Sequence, residues 1–292
     1  MKKINCNTDL RLEKSPNNTI RDVVIPVIFS VILTATLFIT SCGIGNESKD
    51  ITQMQDFIRE NKYIIHACGE IADENGTLYT YTNSKEALEN SLNRGAKVIE
   101  IDFHKTSDDV LVCGHAWGDL YMEGKQMEKG VAPSYEDFLK CKVQDKFTPL
   151  SFKDVISYMQ KDSDFVVVTD IKDENVQTCK MISQTYPELR DRFIIQIYHA
   201  DEYDAVKKAG FKYIILTLYE TDESERTADA LKKIANKGLI GFTVYSEWAD
   251  DKDFYDIIKS LNKPVYVHTV NDQDEINRYF DMGIQGIYTD NV

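Results

Sequence analysis

Along most of the chain, short apolar runs alternate with longer stretches in which apolar residues recur every three to four positions. The short runs, rich in Ile, Val, Tyr and Phe, lie near 62–66, 97–102, 165–171, 193–198, 212–217, 240–245, 264–269 and 284–288. Their length and β-branched content predict buried strands. Helical spacing occupies 84–94, 151–161, 174–185, 200–209, 225–237, 250–261 and 272–282, so the pattern predicts an α/β fold, a (β/α)8 TIM barrel of parallel strands with helices between them. A ninth short run, Val110 to Cys113, predicts a hairpin above the second strand. Residues 117–149 hold Gly118, Gly124, Gly130 and Pro133 and lack clean periodicity, as expected of a small insertion over the barrel mouth. At the start of the first helix, Asn83 with Glu86 three residues on reads as an amino-terminal cap.

The amino terminus has a different pattern. Residues 1–22 are polar and slightly basic, and residues 23–41 form an uncharged apolar run that ends at Cys42. Such a run can cross a bilayer, and the order of basic, apolar and small residues describes a secretory leader. Ile39-Thr40-Ser41-Cys42 is similar to a bacterial lipobox, in which Cys42 receives lipid and becomes the mature amino terminus. An uncleaved anchor helix is the alternative for residues 1–42. Five Lys/Arg residues precede the span, which orients the rest of the chain outside the cytoplasm, tethered to the cell membrane. Residues 43–58 read as a tether and residues 59–292 as the barrel.

With 292 residues and 42% hydrophobic content, the barrel can bury one large core. A formal charge of −14 argues against a nucleic-acid partner.

The polar positions within the strands carry the candidate chemistry. In KVIEIDFH, alternation sets Glu100 and Asp102 on the face opposite Ile99, Ile101 and Phe103. Two acids on the inward face of an apolar strand have no structural reason to be there unless they bind something. His66, Asp170, Lys172, Tyr198 and His268 fall at or near predicted strand ends, where barrel enzymes place their chemistry. Glu100, Asp102 and Asp170 are the candidate ligands of one divalent cation, Mg²⁺ or Ca²⁺, since hard cations prefer carboxylate oxygen. The bland alternative is a structural network with Lys172. His66 and His115, one after each of two apolar runs, are the candidate acid/base pair, because imidazole exchanges protons near neutrality. Lys172, sharing a strand face with Asp170, is the candidate phosphate contact. Tyr198, Trp248, His268, Trp117 and Tyr245 are candidates to line a substrate pocket, with ordinary packing as the competing explanation.

His66, Glu100-Ile101-Asp102 and His115, in that order, resemble the glycerophosphodiester phosphodiesterase family, which is related to phosphatidylinositol-specific phospholipase C. The counterparts of the family's motifs read HACG, TNS, EID, TSDD, HAW, TDIK, HTVN and GIYTD, over roughly residues 62–292. Ala67 stands where the family places arginine, Ala116 where it places an acid, and His268 where it often has tryptophan, so a divergent member is expected. The resemblance implies metal-dependent cleavage of a phosphodiester: a glycerophosphodiester, a lipid headgroup or a cell-envelope polymer. An acidic globule that handles a phosphate ester needs a local cation, which strengthens the metal expectation. The alternative is a surface lipoprotein that keeps the barrel to bind glycan or lipid headgroups.

Four cysteines remain beyond Cys6 and Cys42. Cys68 and Cys113 each lie two residues from a candidate histidine, and a bond between them across the barrel mouth is the pairing to look for.

Overall fold

The computed structural model describes residues 48–162 and 164–291, so the leader, the lipobox and Cys42 lie outside the described residues. The eight apolar runs are eight strands: β1 (Tyr63–Ile65), β2 (Val98–Lys105), β3 (Val166–Ile171), β4 (Phe193–Ile197), β5 (Tyr213–Thr217), β6 (Gly241–Tyr245), β7 (Val265–His268) and β8 (Gly286–Thr289). Each pairs in parallel with the next, and β1 pairs with both β8 and β2, which closes the sheet into a (β/α)8 barrel. The helices between strands match the predicted ones to within a few residues.

Alternation along the strands divides the core in two. Outward residues such as Ile99, Ile101 and Phe103 pack with the helices, among them Phe152, Val155 and Met159. Inward residues fill the barrel floor: Ile64, Val98, Val166, Val168, Ile194, Ile215, Tyr266 and Tyr288. Above that floor the inward positions turn polar, giving His66, Asp102, Asp170, Tyr198, Tyr245 and His268 at the carboxyl-terminal mouth.

The stretch read as a tether is in part a helix. Residues 48–61 are helical, and Met54 and Ile58 are buried in the barrel-floor cluster. Covering the open lower end of the barrel removes apolar surface from water, which a flexible spacer could not do. β2 runs on to Lys105 and folds back on Leu111–Cys113, the expected hairpin. Residues 117–149 contribute three short strands and the helix Tyr135–Lys140, with Leu120, Phe138, Val143 and Phe147 in a small separate core. Among the described residues no helix is long and apolar enough to cross a membrane.

Candidate active site

The register between β2 and β3 sets Asp102 directly beside Asp170, and Glu100 lies one inward step below. All three carboxylates are buried, and they offer oxygens within 4.8 Å of one another. Lys172 Nζ is 2.8 Å from Asp102 Oδ1 and 2.8 Å from Asp170 Oδ2. Asn83 Nδ2 donates to Asp102 Oδ2 at 2.7 Å, and the Asp102 amide donates back to Asn83 Oδ1 at 3.0 Å. Asp170 Oδ1 accepts from the Tyr198 hydroxyl. The Tyr198 amide is in turn held by Glu202 at 2.8 Å.

Burial, and then the charges of Asp102 and Asp170, push the Glu100 carboxyl well above its ordinary value. Burial also raises Asp102, against the pull of Lys172. For Asp170 burial acts upward, but Lys172 and Tyr198 more than offset it and hold the carboxyl below the ordinary range. Lys172 is stabilised as ammonium by Asp102 and Asp170 in spite of its burial. Three buried carboxylates against one ammonium leave negative charge uncompensated, a costly arrangement unless a further cation is held there. The donor set, all hard oxygen, suits a divalent ion such as Mg²⁺ or Ca²⁺.

After β1 the chain turns sharply. Ala67 (φ 48°) and Cys68 (φ 68°) are both left-handed, a conformation that non-glycine residues adopt only when their surroundings impose it. The turn brings the Ala67 amide onto Glu100 Oε2 at 2.7 Å, so the position where the family carries arginine here contributes a backbone donor. His66 is buried, with Nδ1 2.8 Å from Asp290 Oδ1. Asp290 is fixed by Asn271, whose Nδ2 donates to Asp290 Oδ2 at 2.7 Å and whose Oδ1 accepts from the Asp290 amide at 2.8 Å. Burial acts to raise Asp290, but His66 and Asn271 bring it below its ordinary value. A carboxylate on Nδ1 keeps the proton there and leaves Nε2 as the nitrogen available for chemistry.

The Tyr81 ring stands edge-on between the two candidate histidines, 4.5 Å from His66 and 4.9 Å from His115. The His115 side chain is 45% exposed at the mouth, and its nearest acid is Asp119 at 3.8 Å. His268 lies 4.8 Å from His66. Burial, and then the neighbouring His66, push its imidazole down to about 3.

These groups open into one cavity of about 800 Å³. It is lined by His66, Asp102, His115, Asp170, Lys172, Tyr198, Tyr245 and His268 of the sequence-predicted set, and also by Tyr81 and Tyr219. Glu100 sits beneath Asp102. Neither tryptophan lines it. Trp248 backs the lining residue Tyr245 at 5.6 Å with Arg226 over its face, whereas Trp117 packs at 4.8 Å on His104, which does not line the cavity. Asn83 is not the cap of the helix Lys85–Asn93; Ser84 is, accepting from the Ala87 amide, and Asn83 serves Asp102. Glu86 binds Thr148 instead of completing a capping box. Cys68, Cys113, Cys141 and Cys179 are all buried free thiols, so the pairing of Cys68 with Cys113 is not formed. Sequence reasoning did not single out Asp290 and Asn271, although both stand inside the quoted GIYTD and HTVN motifs.

A barrel with this mouth is equipped to hold a divalent ion and a phosphate ester beside a buried histidine. A model of the glycerophosphoryl diester phosphodiesterase family matches residues 75–292, and the chain belongs to that family. No curated protein matches the sequence. Solved structures share the fold. The glycerophosphodiester phosphodiesterase of Thermotoga maritima has a TM-score of 0.60 at 18% identity, covering 78% of this chain and 94% of that one. One from Parabacteroides distasonis has a TM-score of 0.60 at 18% identity, covering 78% and 93%. An Oleispira antarctica phosphodiesterase, in complex with the product sn-glycerol-3-phosphate, has a TM-score of 0.57 at 13% identity, covering 78% and 92%.

Proposed function

We propose that the protein hydrolyses a glycerophosphodiester or a closely related diester, with a divalent ion held by Glu100, Asp102 and Asp170 and with His66 and His115 as the acid/base pair. The observation that carries this reading is the meeting, in one cavity, of the buried carboxylate triad with a histidine already oriented by Asp290. When bound, the ion supplies Lewis-acid stabilisation of a phosphoryl oxygen. Lys172 adds a fixed positive charge for the phosphate, the more needed because Ala67 offers no side-chain cation. His66 exchanges a proton through Nε2 while Asp290, on Nδ1, holds the ring in place. His115, across Tyr81, exchanges the second proton at the mouth. The nucleophile is water or a neighbouring substrate hydroxyl; in the second case a cyclic phosphate forms first. The Oleispira relative's complex with sn-glycerol-3-phosphate supports a glycerol phosphate on one side of the scissile bond.

The test is turnover of a small panel of glycerophosphodiesters and an aryl phosphodiester, with Mg²⁺, with Ca²⁺ and with chelator. Metal-dependent turnover that falls by about 10²-fold or more in His66→Ala and Glu100→Ala is expected. Turnover unchanged in both variants would overturn the assignment. We further propose that the protein is an extracytoplasmic lipoprotein anchored through Cys42. Cells fed a radiolabelled fatty acid should then label the wild-type chain and not Cys42→Ser, and the wild-type amino terminus should begin at Cys42; an unlabelled chain that keeps residues 1–41 would favour an uncleaved anchor.

A further inference from the structure

The two candidate histidines are held in unlike ways. His66 is buried and clamped by Asp290 at 2.8 Å. The His115 ring, among the described residues, has no closer polar contact than Asp119 at 3.8 Å. What fixes His115 is its backbone. The amide of the preceding Gly114 donates to the Asp102 carbonyl at 3.1 Å. On the other side, the His115 carbonyl lies 3.1 Å from His104 Nε2. The two pinned peptide groups, 113–114 and 115–116, bracket the two residues Gly114 and His115, which restricts their backbone angles jointly and with them the direction in which the His115 Cβ leaves.

His104 is itself anchored. It is two residues beyond Asp102 on β2, its Nδ1 is 2.9 Å from Asp173 Oδ2, and Trp117 packs against its ring at 4.8 Å. Asp173 Oδ2 also accepts from the Lys105 amide at 3.2 Å. Asp173 directly follows Lys172 in the chain. A continuous path therefore runs from the end of β3, with Asp170 on it and Lys172 just beyond it, through Asp173 and His104 to the His115 peptide.

We infer that His104, seated on Asp173, is a positioning residue that sets where His115 stands over the carboxylate site. The inference rests on His115 being one of the acid/base pair. Nothing else in the site uses the imidazole: it is absent from the cavity lining, yet it is mostly buried, with a side-chain exposure of 14%, and both of its nitrogens face acceptors.

The experiment measures kcat, KM and thermal midpoint on one diester for His104→Ala, His115→Ala and the double variant. Displacing a catalytic group by about an ångström costs up to about 10²-fold, so His104→Ala should lower kcat by about tenfold or more, with KM and the thermal midpoint little changed. In the His115→Ala background the same substitution should cost nothing further, because there is no imidazole left to place. His104→Gln, which can still donate to the His115 carbonyl, should recover part of the loss. An equal loss in both backgrounds, or none in the wild-type background, would overturn the inference while leaving the catalytic reading of His115 standing. Full kcat in His115→Ala would remove both together. If His104→Ala does not fold, Asp173→Asn, at a half-exposed side chain, gives the same two-background comparison.

Discussion

His66 and His268 have rings 4.8 Å apart, but their surroundings fit them for opposite duties. His66 has a carboxylate on Nδ1 and so can gain and lose a proton at Nε2 without reorienting. Asp290→Asn keeps the shape of that contact but no longer holds the Nδ1 proton and the tautomer it selects, so kcat should fall by about 10²- to 10⁴-fold with KM little changed. Steady-state kinetics alongside a melting curve checks this. His268 has no carboxylate partner among the described residues, and burial drives it from 6.5 down to about 3. Between those values the unfolded chain takes up a proton there and the folded chain does not, so stability should fall as pH drops through that window. The loss should amount to up to about 1.4 kcal/mol per pH unit. His268→Phe should flatten this slope, as seen in urea denaturation at pH 7 and pH 5; an unchanged slope would show that another group sets it.

At the scale of elements, strand alternation was the dependable signal. It placed Glu100 and Asp102 together on one face, and the parallel register of β2 with β3 added Asp170. Thr82-Asn83-Ser84 shows where local reading stopped: all three residue types cap helices well, and the choice of Ser84 is made by Asp102, nineteen positions away, which engages Asn83. Asp290 was hidden for the same reason, since its partner His66 is 224 positions distant. The helix over 48–61 carried its own signal in Ile51, Met54 and Ile58, spaced by three and four, but the small and polar residues just before them suggested a spacer. Gly241 is legible only in three dimensions. A Cβ there would stand 2.4 Å from the Tyr266 ring and 2.7 Å from the Pro264 carbonyl, so glycine is what admits a fully buried tyrosine to the barrel floor. Gly241→Ala should destabilise by about 1–3 kcal/mol through overpacking, readable as a lower urea midpoint.

For the whole molecule, the barrel concentrates negative charge that it does not balance. The chain carries −14 overall, and at the mouth the buried triad faces Lys172, the only Lys or Arg among the described residues lining the cavity. Folding must therefore confine like charges in a poorly solvated place, and a divalent cation is what relieves the strain. Mass action makes this measurable without any substrate: at about 100 times its Kd, an ion that binds only the folded state adds about 2.7 kcal/mol. Adding Mg²⁺ or Ca²⁺ to the chelated protein should raise the thermal midpoint, and chelator should reverse the rise. Glu100→Gln removes one buried charge, so the variant should be at least as stable as the parent in chelator and should lose most of the metal-induced shift. A shift retained in full would place the ion elsewhere. A variant less stable than the parent in chelator would mean that the charge assistance in the Ala67 hydrogen bond to Glu100, which the Gln oxygen would accept only in neutral form, outweighs the repulsion among the three acids.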